Sequence, residues 1–381
     1  MEPTMSSVLA GQVEGDWDCV IVGAGPAGSL TARELARRGR RVLLVEKATF
    51  PRWKVCGACL GAAGVRVLER VGLGDLPAAL GGTTVRRTEV RWRSRTIDTP
   101  MRGMVAVSRG ALDEALVRAA VDAGAVFVQG VLARLDDDGA VALERAADTA
   151  LVRPGCVVLA GGLRAADAHG VRGASVDQAS YIGLGVSVCE RPADLSPGTL
   201  SMALGERGYV GRVVTEDGRT DWAAAVDPAA VRRHGSPADA VRAICRQAGV
   251  DAEVPRSGWV GTPALTRRTP AQRGRVYRVG DAAGYVEPIT GEGMSWALLG
   301  AEALAPVLDR AFVAGVHDGA WNGVHARLFA QRRARCRLVA RALRSTAVLG
   351  VGFAMMGAAP ARGRVVGRLI GAGGAAAGGV R

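Results

Sequence analysis

The chain has 381 residues, 49% of them apolar and 22% charged, which excludes a disordered chain and a minimal module. Aromatics are only 4%, too few for a base-stacking nucleic-acid binder. The formal net charge of +13 is almost all arginine, since Lys47 and Lys54 are the only lysines; it leaves an anionic cofactor, an acidic carrier or a membrane surface open as partners.

The opening MEPTMSSVLAGQVEGD has no basic residue and no apolar core. It does not read as a secretory signal and is expected to be a frayed lead-in. An apolar run over 17–22 predicts a strand that ends in GAGPAG. A helix is expected over 26–38 with Pro26 near its start, then a strand over 41–45 ending at Glu46. This is a β-α-β unit. A Gly- and Cys-bearing loop, FPRWKVCGACLGAAG, leads to a helix near 65–71. Alternation over 83–107 predicts strands or hairpins, and Ser108 can cap a helix over 109–123.

Short strands are expected over 126–128, 131–135 and 140–143, with DDDG as a turn, and a buried strand over 157–160. A β-rich stretch covers 181–227, with a helix near 237–248. A strand over 276–279 ends in GDAAG. Helices follow from Gly293 and over 321–344. The uncharged stretch 345–361 is shorter than the ~20 residues of a spanning helix and reads as a buried or interfacial helix. The closing AGGAAAGGVR is read as mobile.

Gly23, Gly25 and Gly28 stand as G-x-G-x-x-G between a strand and a helix, with Pro26 and Ala27 inside the motif. The first glycine permits a sharp turn, the second lets a pyrophosphate approach the backbone, and the third lets helix and strand touch. The helix start then faces the phosphates with its positive end. Glu46, followed by Lys47, closes the next strand, where a carboxylate accepts ribose hydroxyl protons. Strand, helix and acid in register point to a dinucleotide, and Glu46 argues against a 2′-phosphate.

VYRVGDAAGYVEPITGEGMSWALLGA (276–301) resembles the second flavin-binding motif of the p-hydroxybenzoate-hydroxylase-like flavoproteins. The resemblance implies non-covalent FAD. It implies that Asp281, after Gly280, bonds the ribityl chain, and that Pro288 through Gly291, Glu292, Gly293 and Met294 runs along the isoalloxazine. SRGALDEALVRAA (108–120) is similar to the family's segment whose arginine, here Arg109, contacts the FAD phosphates. FPRWKVCGACL (50–60) most resembles the geranylgeranyl-reductase-like branch, whose Cys-Gly pair lies near the flavin. Cys56 is therefore the candidate catalytic residue, as a flavin-adjacent side chain. Halogenase motifs are absent, and no lysine follows Lys54.

Three departures stand against the family pattern. Its Ala-Asp-Gly motif reads Ala160-Gly161-Gly162, with Ala165 in the serine position. Its aromatic substrate-sheet segment reads Gly208-Tyr209-Val210-Gly211. Cys59 makes a C-x-x-C with Cys56, which leaves open a redox disulfide, a cavity-wall role and plain packing. Seven scattered cysteines imply no disulfide framework and fit a reducing, cytoplasmic setting. His169, His234, His317 and His325 form no constellation, so no metal site is expected. Tyr209, Trp92 and Trp259 are candidate substrate-pocket walls. The arginines of 327–344 read as a solvated face or as a peripheral contact with an anionic membrane.

The expected fold is α/β: a glutathione-reductase-like FAD domain with a Rossmann-type β-α-β unit (17–82, 106–180 and 270–330), an interleaved β-rich substrate domain (83–105 and 181–269), and a C-terminal helical segment with a flexible tail (331–381). The resemblance implies an FAD-dependent oxidoreductase refilled by NAD(P)H and acting on an apolar small molecule. The leading reading is reduction of a C=C bond in an isoprenoid or polyketide-like substrate. The alternatives are a monooxygenase using a flavin C4a-hydroperoxide on an aromatic or polyketide ring, and a non-redox ligand-binding or cyclising flavoprotein.

Overall fold

The computed structural model describes residues 8–136, 138–164, 174–287, 289 and 291–357. Its helices are α1 (Val8–Val13), α2 (Pro26–Ala36), α3 (Ala62–Arg70), α4 (Leu76–Ala79), α5 (Arg109–Asp122), α6 (Pro228–His234), α7 (Pro237–Gln247), α8 (Gly293–Ala314), α9 (Ala320–Leu343) and α10 (Thr346–Gly357). A six-stranded sheet contains β1 (Cys19–Val22), β2 (Val42–Glu46), β6 (Val126–Gln129), β10 (Cys156–Leu159), β18 (Gln272–Arg273) and β19 (Val276–Arg278). Its order is β18-β19-β10-β1-β2-β6, parallel except at the β18 edge.

The central strands CVIV, VLLVE and CVVL are apolar almost without interruption because both of their faces are covered. On one face Ile21, Leu44 and Val158 pack with residues of α2, α5 and α8. On the other, Val20, Leu43 and Val157 meet α1 and a three-stranded sheet of β7 (Leu132–Leu135), β8 (Val141–Arg145) and β9 (Asp148–Val152). From residue 8 on this corrects the frayed lead-in, whose first seven residues lie outside the described residues: Leu9 is fully buried, Val13 is buried, and the Trp17 indole donates to the Val13 carbonyl.

The larger sheet joins β3 (Cys59–Leu60), β4 (Thr83–Trp92), β5 (Arg95–Ala106), β12 (Ile182–Val188), β13 (Thr199–Gly205), β14 (Gly208–Val214), β15 (Thr220–Val226) and β16 (Val260–Ala264). Its order is β16-β12-β15-β14-β13-β4-β5-β3, antiparallel except for the β13–β4 pair. One face carries Trp222, Val226, Val210 and Ala203 against α6 and α7; the other presents Leu200, Met202 and Tyr209. A small pair, β11 (Ser175–Val176) and β17 (Arg267–Arg268), sits apart.

Among the elements that escaped the sequence reading are β9 and α6. β9 follows a turn in which Ala146 takes φ +52, so no glycine marks the hairpin. α6 starts at Asp227-Pro228, where the Asp227 carboxylate accepts the Ala229 amide proton. At the C-terminal end α9 and α10 meet at 98°, and among the described residues no single helix is long and apolar enough to cross a membrane. The tail 372–381, together with Ala165, His169 and Pro288, lies outside the described residues.

Candidate active site

The turn after β1 is built for close approach. Gly23 has φ +105, and a Cβ there would lie 2.7 Å from the backbone of Ala160 and Gly161 at the end of β10. A Cβ on Gly28 would stand 1.9 Å from the Gly23 carbonyl oxygen. Gly25 is the residue before α2, with Pro26 at the first helical position. Glu46 is buried; it accepts the amide protons of Ala24 at 3.0 Å and Ala48 at 3.1 Å. Its carboxylate thus braces the glycine turn from the neighbouring strand.

Four charges alternate beside that turn. Arg52 contacts Glu46 at 3.4 Å and Asp113 at 3.1 Å, and Arg109 forks onto Asp113 with bonds of 2.9 and 2.7 Å. Asp113 is fully buried, one helical turn along α5 from Arg109. Burial works against the Arg109 charge, but Asp113 more than offsets it and holds the guanidinium firmly protonated. One guanidinium nitrogen of Arg109 and one of Arg52 lie 3.5 and 3.8 Å from where a Gly25 Cβ would be, so both cations stand over the start of α2.

Behind this turn opens a cavity whose empty space, together with the open solvent at its mouth, is about 1310 Å³. Gly25, Pro26, Ala27, Cys56, Arg109, Gly280, Asp281, Gly291, Gly293, Met294 and Tyr209 all line it. Asp281 sits in a 3-10 turn (Gly280–Ala283) and faces the cavity rather than capping α8. Burial raises its pKa, against the pull of Lys54, Arg109 and Arg267. Gly23, Gly28 and Glu46 shape the turn from behind. Lys47 is exposed and outside the lining. Glu292 holds the N-cap position of α8 without a capping side-chain bond and is also outside it.

Two of the expected pocket walls are elsewhere. Trp92 is buried against Phe353 of α10, ring centroids 5.5 Å apart. Trp259 stacks edge-on to Trp222 at 6.4 Å and donates to the Pro255 carbonyl on the far face of the large sheet. Cys56 and Cys59 are free thiols. Burial raises both, Cys59 to about 12, so neither is an activated thiolate at neutral pH. His317 bonds the Tyr277 hydroxyl at 2.8 Å, and His325 is buried between Trp321 and Phe329.

Sequence reasoning missed much of the wall, including Leu184, Leu200, Met202, Ala223, Ala225, Thr262, Leu265 and Tyr285. It also missed Lys54, whose Nζ lies 3.0 Å from the place of a Gly162 Cβ. Burial, then Arg109, lowers the Lys54 pKa, while Asp281 opposes. The glycine pair at 161–162, the one local signal, marks the space this side chain fills.

The family model for an FAD binding domain matches residues 16–313. Menaquinone reductase of Mycobacterium tuberculosis is 39% identical over 132 residues, 32% of this chain and 31% of that protein. Squalene monooxygenase of Rattus norvegicus is 29% identical over 142 residues, 34% of this chain and 25% of that one. The alignment with the first of these thus spans under a third of that relative's length. Among solved structures, a flavin-dependent brominase has a TM-score of 0.77 at 19% identity, covering 94% of both chains. A geranylgeranyl bacteriochlorophyll reductase-like protein of Thermoplasma acidophilum has a TM-score of 0.70 at 19% identity, covering 86% of this chain and 88% of that one. At these identities the structural likeness shows the fold alone.

Proposed function

Since the chain belongs to the FAD-binding-domain family and is a flavin-dependent enzyme, we propose that it reduces a C=C bond of an apolar isoprenoid or polyketide-like substrate, with NAD(P)H as the electron donor. The residues present fit FAD. A glycine turn that admits no Cβ, two cations over the start of α2 and a carboxylate at the end of β2 are what a dinucleotide needs. In this reading Gly25 and Arg109 hold the pyrophosphate, Glu46 the ribose, and Asp281 the ribityl chain. Bound FAD supplies the chemistry by taking an electron pair from the donor and passing it on to the substrate.

The observation that carries the substrate class is the wall opposite these groups. Among the described lining residues, charge comes only from Lys54, Arg109 and Asp281, all on the cofactor side. The large sheet contributes Leu184, Leu200, Met202, Ala223, Ala224 and Ala225, with Leu265 and Ile289 closing the floor. These side chains bind an apolar molecule by contact and exclude water from it. Gly57 is exposed where the cavity meets solvent, leaving the mouth open to a donor. Tyr209, Thr262 and Tyr285 are the hydroxyl-bearing side chains among the described lining residues.

The branch assignment, geranylgeranyl-reductase-like, draws support from Cys56-Gly57 on the lining and from the menaquinone reductase relative. A second reading, hydroxylation of the same apolar class, draws support from the squalene monooxygenase relative. Turnover of polyprenyl and polyketide probes with NADPH decides between them. A product heavier by two hydrogens, formed without air, supports the reductase. A product labelled from ¹⁸O₂, formed only in air, overturns it in favour of the hydroxylase.

A further inference from the structure

The C-terminal end carries a surface that the cavity does not use. α10 reads TAVLGVGFAMMG and contains no charged residue. Its inner face is committed: Leu349 and Phe353 are buried, and Phe353 packs on Trp92. Its outer face is apolar as well. Val348, Val351 and Met355, at spacings that share one helix face, are 51%, 61% and 56% exposed. Leu338, near the end of α9, is 69% exposed. An exposed apolar helix face on a globular chain marks an interaction site.

The rim of this patch has one sign. On α9, Arg335 and Arg341 are exposed three residues before and after Leu338. From the β4–β5 hairpin, Arg93 stacks over Trp92 at 4.7 Å, and Arg95 donates to the Gly350 carbonyl at 3.2 Å. The acids of that hairpin are already paired, Glu89 with Arg87 and Arg91, and Asp98 with Arg87. Arg344 is held by Glu287. A second copy of this chain would set one arginine rim against another. Among the described residues the patch also offers no array of polar side chains for directional recognition of a protein. An apolar strip of about 18 Å inside a cationic rim matches the layered chemistry of a bilayer surface, with phosphates outside and acyl chains within.

We propose that α10 and the adjoining end of α9 dock on an anionic lipid bilayer, with α10 lying in the plane of the interface. Val348, Val351 and Met355 enter the acyl boundary, and Arg335, Arg341, Arg93 and Arg95 meet headgroup phosphates. The 98° bend between the two helices turns α10 across the end of α9. The inner face of α10 belongs to the same apolar cluster as Leu200, Met202 and Tyr209 of the cavity wall. The docking does not depend on which reaction the cavity performs.

The test is sedimentation of the full chain, loaded with FAD, with vesicles of phosphatidylcholine alone or mixed with phosphatidylglycerol. The protein pellets with the mixed vesicles only, and raising salt weakens the association by about tenfold or more. The double variant Val351→Glu, Met355→Glu keeps its flavin absorbance and loses the association by about tenfold or more. Protein that stays in solution with the anionic vesicles overturns the proposal. So does a double variant that pellets like the parent. Concentration-dependent self-association that these two substitutions abolish, in place of lipid binding, assigns the patch to a second copy instead.

Discussion

On the parallel-sheet side of the cleft, Glu46, Arg52, Asp113 and Arg109 form a ladder of paired buried charges, while the large sheet meets the same cleft with Leu184, Leu200, Met202 and a run of alanines. The first wall is specified atom by atom, since each charge is stable there only because its neighbour is present. The second is specified by volume and apolarity, which many side-chain sets satisfy. Substitutions on the first wall therefore act as breaks, and those on the second as adjustments.

The largest effect is expected at Asp113, the fully buried carboxylate shared by Arg52 and Arg109. Asp113→Asn leaves two buried guanidinium groups underpaired and costs about 4 kcal/mol, read as a lower urea midpoint with loss of bound flavin. Gly28→Ala comes next. Its Cβ would meet the Gly23 carbonyl at 1.9 Å, backbone against backbone, so about 3 kcal/mol is lost and purified protein lacks flavin absorbance.

The large sheet has a buried carboxylate of its own, without a forked cation. Burial raises Asp221 to about 6, only partly offset by its bond to Ser187. Between about pH 4 and 6 the unfolded chain releases this proton before the folded one does. Stability therefore falls as pH rises through that window, by about 3 kcal/mol. Urea titrations of the parent and Asp221→Asn across this range should show the parent losing ground to the variant; parallel curves would refute the assignment. The smallest effect on stability is expected from Ala223→Leu, which fills cavity space rather than core. It changes stability by less than about 1 kcal/mol and leaves flavin bound, while shifting the preferred substrate towards shorter chains, measured as kcat/KM over a series of chain lengths.

The same division governs what could be read from the chain. The turn Gly23–Gly28 and its acid Glu46 were legible because their demands are local: a positive φ, a close approach, a strand end. Arg109 was legible only by resemblance, and its partners Arg52 and Asp113 were not, since their pairing forms only when loop and helix meet. Trp92 was misplaced because it shares the cavity's face of the large sheet but is covered there by a distant helix, and Trp259 because it packs on the opposite face. Trp92 finds Phe353, far along the chain, and Trp259 finds Trp222. Lys54 was hidden for a similar reason: its space is provided by Gly162, across the fold.

β3 is only two residues long, yet it ends the loop that carries Lys54, Cys56 and Gly57 and pairs Cys59 and Leu60 with Ala106 and Val105 of the large sheet. That hem sews the two walls together beside the cofactor turn. Parting them like jaws would break that pairing, which ties the width of the cleft to the register of β3 on β5.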